Sequence, residues 1–319
     1  MSVPSKPKAS ETDASYCVFG TNILSKLLQS LQAQIQGVIE SEEIEYVHKM
    51  RVASRRIRAT MPLFQICFPK KKFKKWLTQV KKVTRLLGDA RDLDVQIAFM
   101  QNYLEKLEST TDRPSLALLL KSYRDRRKTA QTIVESGLKE LQNSVALKEM
   151  RELFEETDKE LDKEPFHASS VREKAYWHIA SRIDDFLELE KFVHQKNALL
   201  KHHEMRVKAK HLRYTMEAFS SLYKNDLTNE VAAVKEFQDA LGEMHDSDVW
   251  IDNLKRYMTE SEAKGKQRRK SKSPPIEDKQ ALLNFLNYLK DKKKDHYSHF
   301  TKTWAEKQQT NFFGKLRKR

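Results

Sequence analysis

A chain of 319 residues with 60 Lys+Arg against 45 Asp+Glu carries a formal charge of +15, and only 7 Gly and 8 Pro punctuate it. So few backbone breakers exclude a turn-rich β protein and favour long helices, and the length suits one large domain or two ordinary ones. The basic surplus points to anionic partners, but the tracts 264–272 and 315–319 hold ten of the positive charges without an acid, leaving about +5 for the rest.

Residues 1–19 begin with a polar, Pro- and Ser-containing stretch and are expected to form a flexible tail. They contain no apolar signal region, and no later apolar run approaches the roughly 20 residues of a membrane helix, so a soluble cytoplasmic protein is expected. Helical periodicity starts near Thr21 and runs, with short breaks, to about Gln309. Cys67, inside Leu63-Phe64-Gln65-Ile66-Cys67-Phe68, reads as a buried thiol; with Cys17 it makes neither a disulfide framework nor a zinc spacing. Pro114 and Pro165 suit the first turns of helices. The stretch from Lys264 to Pro275 reads as an exposed basic loop, drawn to 277, and 311–319 as a basic tail. No segment alternates with period two, so the fold class is all-α.

The chain resembles itself. His48-Lys49-Met50-Arg51-Val52 recurs as His203-Glu204-Met205-Arg206-Val207, and from His48 to Phe64 there are 8 identities in 17 positions. Leu87-Gly88-Asp89-Ala90-Arg91-Asp92-Leu93-Asp94-Val95 recurs as Leu241-Gly242-Glu243-Met244-His245-Asp246-Ser247-Asp248-Val249. Two motifs in the same order, at offsets near 155, indicate a duplication too long in period for a solenoid. The expectation is two multi-helix halves, about 20–165 and 166–310, related by an approximate two-fold axis with one shared site between them.

On the first motif, Val47, Met50, Ser54, Ile57, Met61, Phe64 and Phe68 form a packing seam at helical spacing, and His48, Arg51, Arg55 and Arg58 form a stripe beside it. The second copy repeats both, with Met205, Ala209, Leu212, Met216 and Phe219 packing and His203, Arg206, Lys210 and Arg213 in the stripe. Like charges one turn apart repel, and neither Arg51–Arg58 nor Arg206–Arg213 contains an acid to relieve them. Each stripe spans roughly 15 Å, and the planar guanidinium fork suits phosphate oxygens; a line of phosphates is the matching ligand. Lys81, Arg85 and Lys235 are further candidate cations. Gly88 and Gly242 suit helix C-terminal caps, and the aspartates after them could cap a helix or pair with stripe arginines. A histidine within such a cluster should be hard to protonate when empty, and a bound polyanion should favour its charged form.

Two histidine-plus-arginine helices, each followed by a Leu-Gly-x-x-x-Asp-x-x-Val-like segment, resemble the CHAD domain, the conserved histidine α-helical domain. The resemblance covers residues 20–310. It implies two four-helix-bundle halves around a basic central groove or pore, and binding of inorganic polyphosphate, often with recruitment to polyphosphate granules. The matching positions are His48, Arg51, Arg55, Arg58, His203, Arg206, Lys210 and Arg213. Members are often fused to a triphosphate-tunnel enzyme domain, whose Glu-x-Glu-x-Lys strand is not found in this sequence.

No phosphate-cradling glycine loop, nucleophile elbow or HExxH is present, so no catalytic residue, metal site or cofactor is expected. Two other functions compete with polyphosphate binding. One is weak, nonspecific nucleic-acid binding by the basic loop and tail, which lack a groove-reading motif. The other is metal-dependent processing of polyphosphate, with His48 and His203 joined to Asp92, Asp94, Asp246 and Asp248 as ligands; neighbouring arginines would repel the cation. Oligomeric state is not legible.

Overall fold

The computed structural model describes residues 13–41, 43–161, 167–223, 227–268 and 279–318, and among them every regular element is a helix. The first half runs α1 (Ala14–Gln32), α2 (Ile35–Glu40), α3 (Ile44–Thr60), α4 (Lys70–Leu86), α5 (Gly88–Lys106), α6 (Arg113–Gln142) and α7 (Val145–Leu161). The second runs α8 (Ala168–Leu187), α9 (Leu199–Phe219), α10 (Thr228–Arg268), α11 (Lys279–Gln309) and α12 (Phe312–Leu316).

Equivalent helices pack alike: α1 on α3 matches α8 on α9, and α5 on α6 matches α10 on α11. Helices also meet their own counterparts, α1 against α8, α3 against α9 and α6 against α11, the pairs that a two-fold relation would bring together. Aromatic side chains fill both seams between the halves. Phe64 and Phe219, the same position of the two repeats, lie edge-on with ring centroids 5.7 Å apart. On the other side Phe99 and Trp250 approach to 5.1 Å, and Tyr103 and Phe285 to 4.7 Å. Burying rings of this size contributes to the cohesion between the halves.

The packing seams are as the periodicity indicates. Val47, Met50, Ser54 and Ile57 are buried on α3, and Met205, Ala209, Leu212, Met216 and Phe219 on α9. Helix α3 nevertheless ends at Thr60, and Met61–Cys67 continues as a tighter 3-10 segment with proline at its start. Met61, Phe64 and Phe68 stay buried across that change.

Other expectations need correcting. Helix α1 starts at Ala14, not near residue 20, because Asp13 caps it by accepting a bond from the Tyr16 amide at 3.1 Å and Tyr16 is buried in the core. The cysteines are not independent thiols: Cys17 on α1 and Cys67 after α3 form a disulfide. Helix α10 continues to Arg268, so the expected loop does not begin at 264; its remainder at 269–277 lies outside the described residues, as do residues 1–12 and Pro165. The C-terminal stretch is docked rather than loose, since Phe313 and Leu316 are buried and Arg317 pairs with Asp184. Pro114 opens α6 as expected. No helix among the described residues is long and apolar enough to cross a membrane.

Candidate functional site

The contact between α3 and α9 brings the two stripes within electrostatic reach of each other, since Arg55 of α3 acts on Arg206 and Lys210 of α9. Arg51 is clamped from two directions. One guanidinium nitrogen donates to the carbonyl of Thr84 in the last turn of α4 at 3.2 Å, and the other to Asp92 of α5 at 3.1 Å. Arg206 pairs with Asp246 of α10 at 3.5 Å, while its buried Nε has no hydrogen-bond partner among the described residues. The first aspartate of each repeated Asp-x-Asp is thus the counter-ion of the leading arginine of each stripe.

The glycines of the second motif serve this clamp. Neither caps a helix: Gly88 opens α5, Gly242 lies inside α10, and no glycine among the described residues has positive φ. A Cβ on Gly88 would stand 3.1 Å from the Arg51 Nη1, and one on Gly242 would stand 3.4 Å from the Arg206 Nε. At Gly88 the missing Cβ therefore lets a guanidinium lie close against the helix backbone, whereas at Gly242 a Cβ would meet Arg206 at ordinary contact distance. Gly242→Ala is expected to stabilise the fold by about 0.5–1 kcal/mol, the usual helix-interior gain. Gly88→Ala must displace Arg51 and is expected to bring no gain or a loss in denaturant unfolding. Equal stabilisation by both would show that Arg51 is not held against Gly88.

Arg55 and Lys210, at equivalent positions, are the unneutralised centre. Among the described residues no carboxylate lies within 4.0 Å of either. Burial first, then the charges of Arg206, Arg55 and Arg51, push the Lys210 ammonium down to about 7. Arg51 and Arg206 are held below their ordinary range by burial and by Arg55, against the pull of Asp92 and Asp246. Crowding by surrounding atoms raises Asp92, and the nearby charges of Asp89 and Asp246 add to it, although Arg51 draws it down. Groups from both halves therefore share one electrostatic field.

Burial lowers the basicity of His48 and His203; Arg91 and Arg55 add to the effect at His48, and Arg206 and Lys210 at His203. This is the direction expected of histidines in an empty cationic cluster. Two residues outside the stripes belong with them, Arg91 and His245, which occupy one position of the repeat. Arg91 acts on His48 and Arg51, and the His245 ring lies 4.6 Å from that of His203. Their shared register in the Leu-Gly segment was the signal available in the sequence.

The remaining candidates are placed differently. Arg213 is committed to Glu217 at 3.2 Å and lies over the Tyr214 ring at 4.7 Å, with Arg56 of α3 on the same Glu217 at 3.3 Å. It ties α9 to α3. Its counterpart Arg58 is exposed, and its charge lowers the basicity of His211 across the helix contact. Lys81 and Arg85 lie on the exposed side of α4, and exposed Lys235 faces Asp239 at 3.9 Å. The second aspartates are structural: buried Asp94 accepts from Arg127 at 2.5 Å, and Asp248 from Lys293. His202, outside the repeated register, is buried against the Phe192 carbonyl at 2.9 Å.

A sequence profile described as the CHAD domain matches residues 22–255. No curated protein sequence matches the chain. Among solved structures, the crystal structure of the CHAD domain from the plant Ricinus communis aligns with a TM-score of 0.66 at 20% identity, covering 94% of this chain and 96% of that one. PptA from Streptomyces chartreusis aligns with a TM-score of 0.58 at 15% identity, covering 90% and 98%. At these identities the structural likeness is one of fold. The profile spans most of the chain, including both stripes and both Leu-Gly segments, and on that ground the chain belongs to the CHAD domain family.

Proposed function

We propose that the chain is a non-enzymatic binder of inorganic polyphosphate, held in a basic groove between two halves that arose by duplication and are related by an approximate two-fold axis. The observation that carries this reading is the pairing of Arg55 with Lys210: two equivalent cations, one from each half, act on one another where Lys210 is largely buried, and among the described residues no carboxylate lies within 4.0 Å of either. Repulsion of this kind is costly to the empty protein, and a chain of phosphates relieves it at both positions together. Arg51 and Arg206, clamped by Asp92 and Asp246, supply preorganised forks beside that centre. Asp92, Asp94, Asp246 and Asp248 each face a cation, which favours a binding role over a metal-centred one. By family resemblance, the setting we assign is the cytoplasm and its polyphosphate granules.

Calorimetric titration with long-chain polyphosphate, with short duplex DNA of equal charge as the competitor, tests the reading. Polyphosphate is expected to bind much more tightly, and its affinity to fall steeply with salt as counterions are released. Affinity is also expected to drop as pH rises through 7. In the free protein Lys210 loses its proton there, whereas bound polyanion holds the proton on, so binding above 7 must draw one from solvent, at up to about tenfold per pH unit. Equal affinity for DNA, or for orthophosphate, would sink the proposal.

A further inference from the structure

Helix α4 is the most one-sidedly charged element of the molecule. Its 17 residues include eight lysines and arginines and no acid. Phe73, Trp76, Val80, Val83 and Thr84 turn inward and are buried, and every cation is exposed. Lys70, Lys74, Lys81 and Arg85 follow one line along the outer face, with Lys71 and Lys82 beside it, over roughly 22 Å at helical rise. Of the eight, only Lys75 has a carboxylate within 4.0 Å among the described residues, Glu149 at 3.0 Å. A face serving solubility alone would mix signs, because like charges one turn apart destabilise a helix.

The face ends at the site already described. Thr84, whose carbonyl holds Arg51, is followed by exposed Arg85, and α4 stops just before the glycine on which Arg51 lies. It is also not inherited from the duplication. The corresponding stretch of the second half, residues 224–240, carries Asp226, Glu230, Glu236 and Asp239 against Lys224 and Lys235. The surroundings of the central site are therefore cationic on the α4 side and acidic on the α10 side.

We infer that the outer face of α4 is an extension of the polyanion site, over which a long polyphosphate chain leaves the Arg51–Arg55 centre in one direction only. The inference rests on the proposed function and adds to it the path that a long chain takes beyond the central site. Other polyanions fit the face less well. Phe73 and Trp76 are buried, so α4 offers no ring for stacking nucleic-acid bases and no aromatic anchor for a membrane interface. Lysine ammonium groups on flexible stems suit a sequence-free, flexible anion.

The test is a Lys70→Gln/Lys71→Gln/Lys74→Gln/Lys82→Gln variant of the full chain, titrated with tripolyphosphate and with chains of about a hundred phosphates. A second variant neutralises four exposed lysines elsewhere, Lys121, Lys128, Lys290 and Lys302, to match net charge. The α4 variant is expected to lose at least tenfold in affinity for the long chain and about three to four from its salt slope. Tripolyphosphate binding should be unchanged, and the charge-matched control should lose less than twofold. Undiminished long-chain binding, or equal weakening in the control, overturns the α4 extension and leaves the central site standing. Absence of binding to either ligand by the wild type would instead refute the proposed function.

Discussion

Truncating Arg55 and Lys210 together to alanine is expected to weaken polyphosphate binding by about two orders of magnitude or more while leaving thermal stability unchanged or slightly raised. Each charge-assisted bond to a phosphate contributes roughly 1.5–3 kcal/mol, and the two positions act from both halves on one chain. Among the described residues no carboxylate lies within 4.0 Å of either cation, so their loss breaks no close ion pair and removes repulsion, while Asp92 and Asp246 keep Arg51 and Arg206. The same change at Arg51 and Arg206 is expected to cost both binding and stability, because Asp92 and Asp246 lose their counter-ions. Loss of stability with loss of binding in the Arg55/Lys210 variant would recast these residues as structural.

Lys210 permits a finer check. Its folded-state value, about 7, lies below the ordinary lysine range near 10.4, so between these values the unfolded chain holds a proton that the folded chain refuses. This group therefore makes the empty fold gain stability as pH rises from 7 toward 10, and its penalty is constant below 7. Arginine at the position stays charged throughout. A Lys210→Arg variant should keep its affinity and lose the fall in binding above pH 7. A persisting fall would assign the titration to His48, His203 or His245.

The reach of sequence reasoning follows the range of the interactions concerned. The seams and stripes were legible because helical spacing is a local property that a repeat displays twice. The acid-free interval Arg51–Arg58 marked cations that prove to act on those of α9, as Arg55 does on Arg206 and Lys210. The glycines were misread because their setting comes from another element: Gly88 makes room for Arg51 and Gly242 lies beside Arg206, and nothing adjacent in the chain says so. Arg213 could not be told from Arg58 by register, since the difference is Glu217 and Arg56 across a helix contact. Lys81 and Arg85 were placed with the stripes, yet their setting is the α4 face, whose continuity with Arg51 rests on a carbonyl contact between helices.

The disulfide carries the other large effect. Cys17 and Cys67 are separated by 50 residues, and their pairing depends on α1 reaching the turn after α3, which is why spacing alone did not suggest it. Closing a loop of that length removes entropy from the unfolded chain worth about 4 kcal/mol in the loop-closure model. For a chain of this size that corresponds to roughly 6 °C in Tm. Cys17→Ser/Cys67→Ser, or reduction of the wild type, is thus expected to lower Tm by about that amount with polyphosphate affinity retained, since neither cysteine adjoins the stripes in sequence and Tyr16, Phe64 and Phe219 still pack α1 into the core. Alkylation at the moment of lysis, followed by mass measurement, adds the cellular half of the answer. Disulfides persist mainly in oxidising compartments, so protected cysteines would count against the cytoplasmic setting assigned above, and two free thiols would support it. Unchanged Tm after reduction would mean that the cross-link adds nothing to packing that already fixes α1 on the turn.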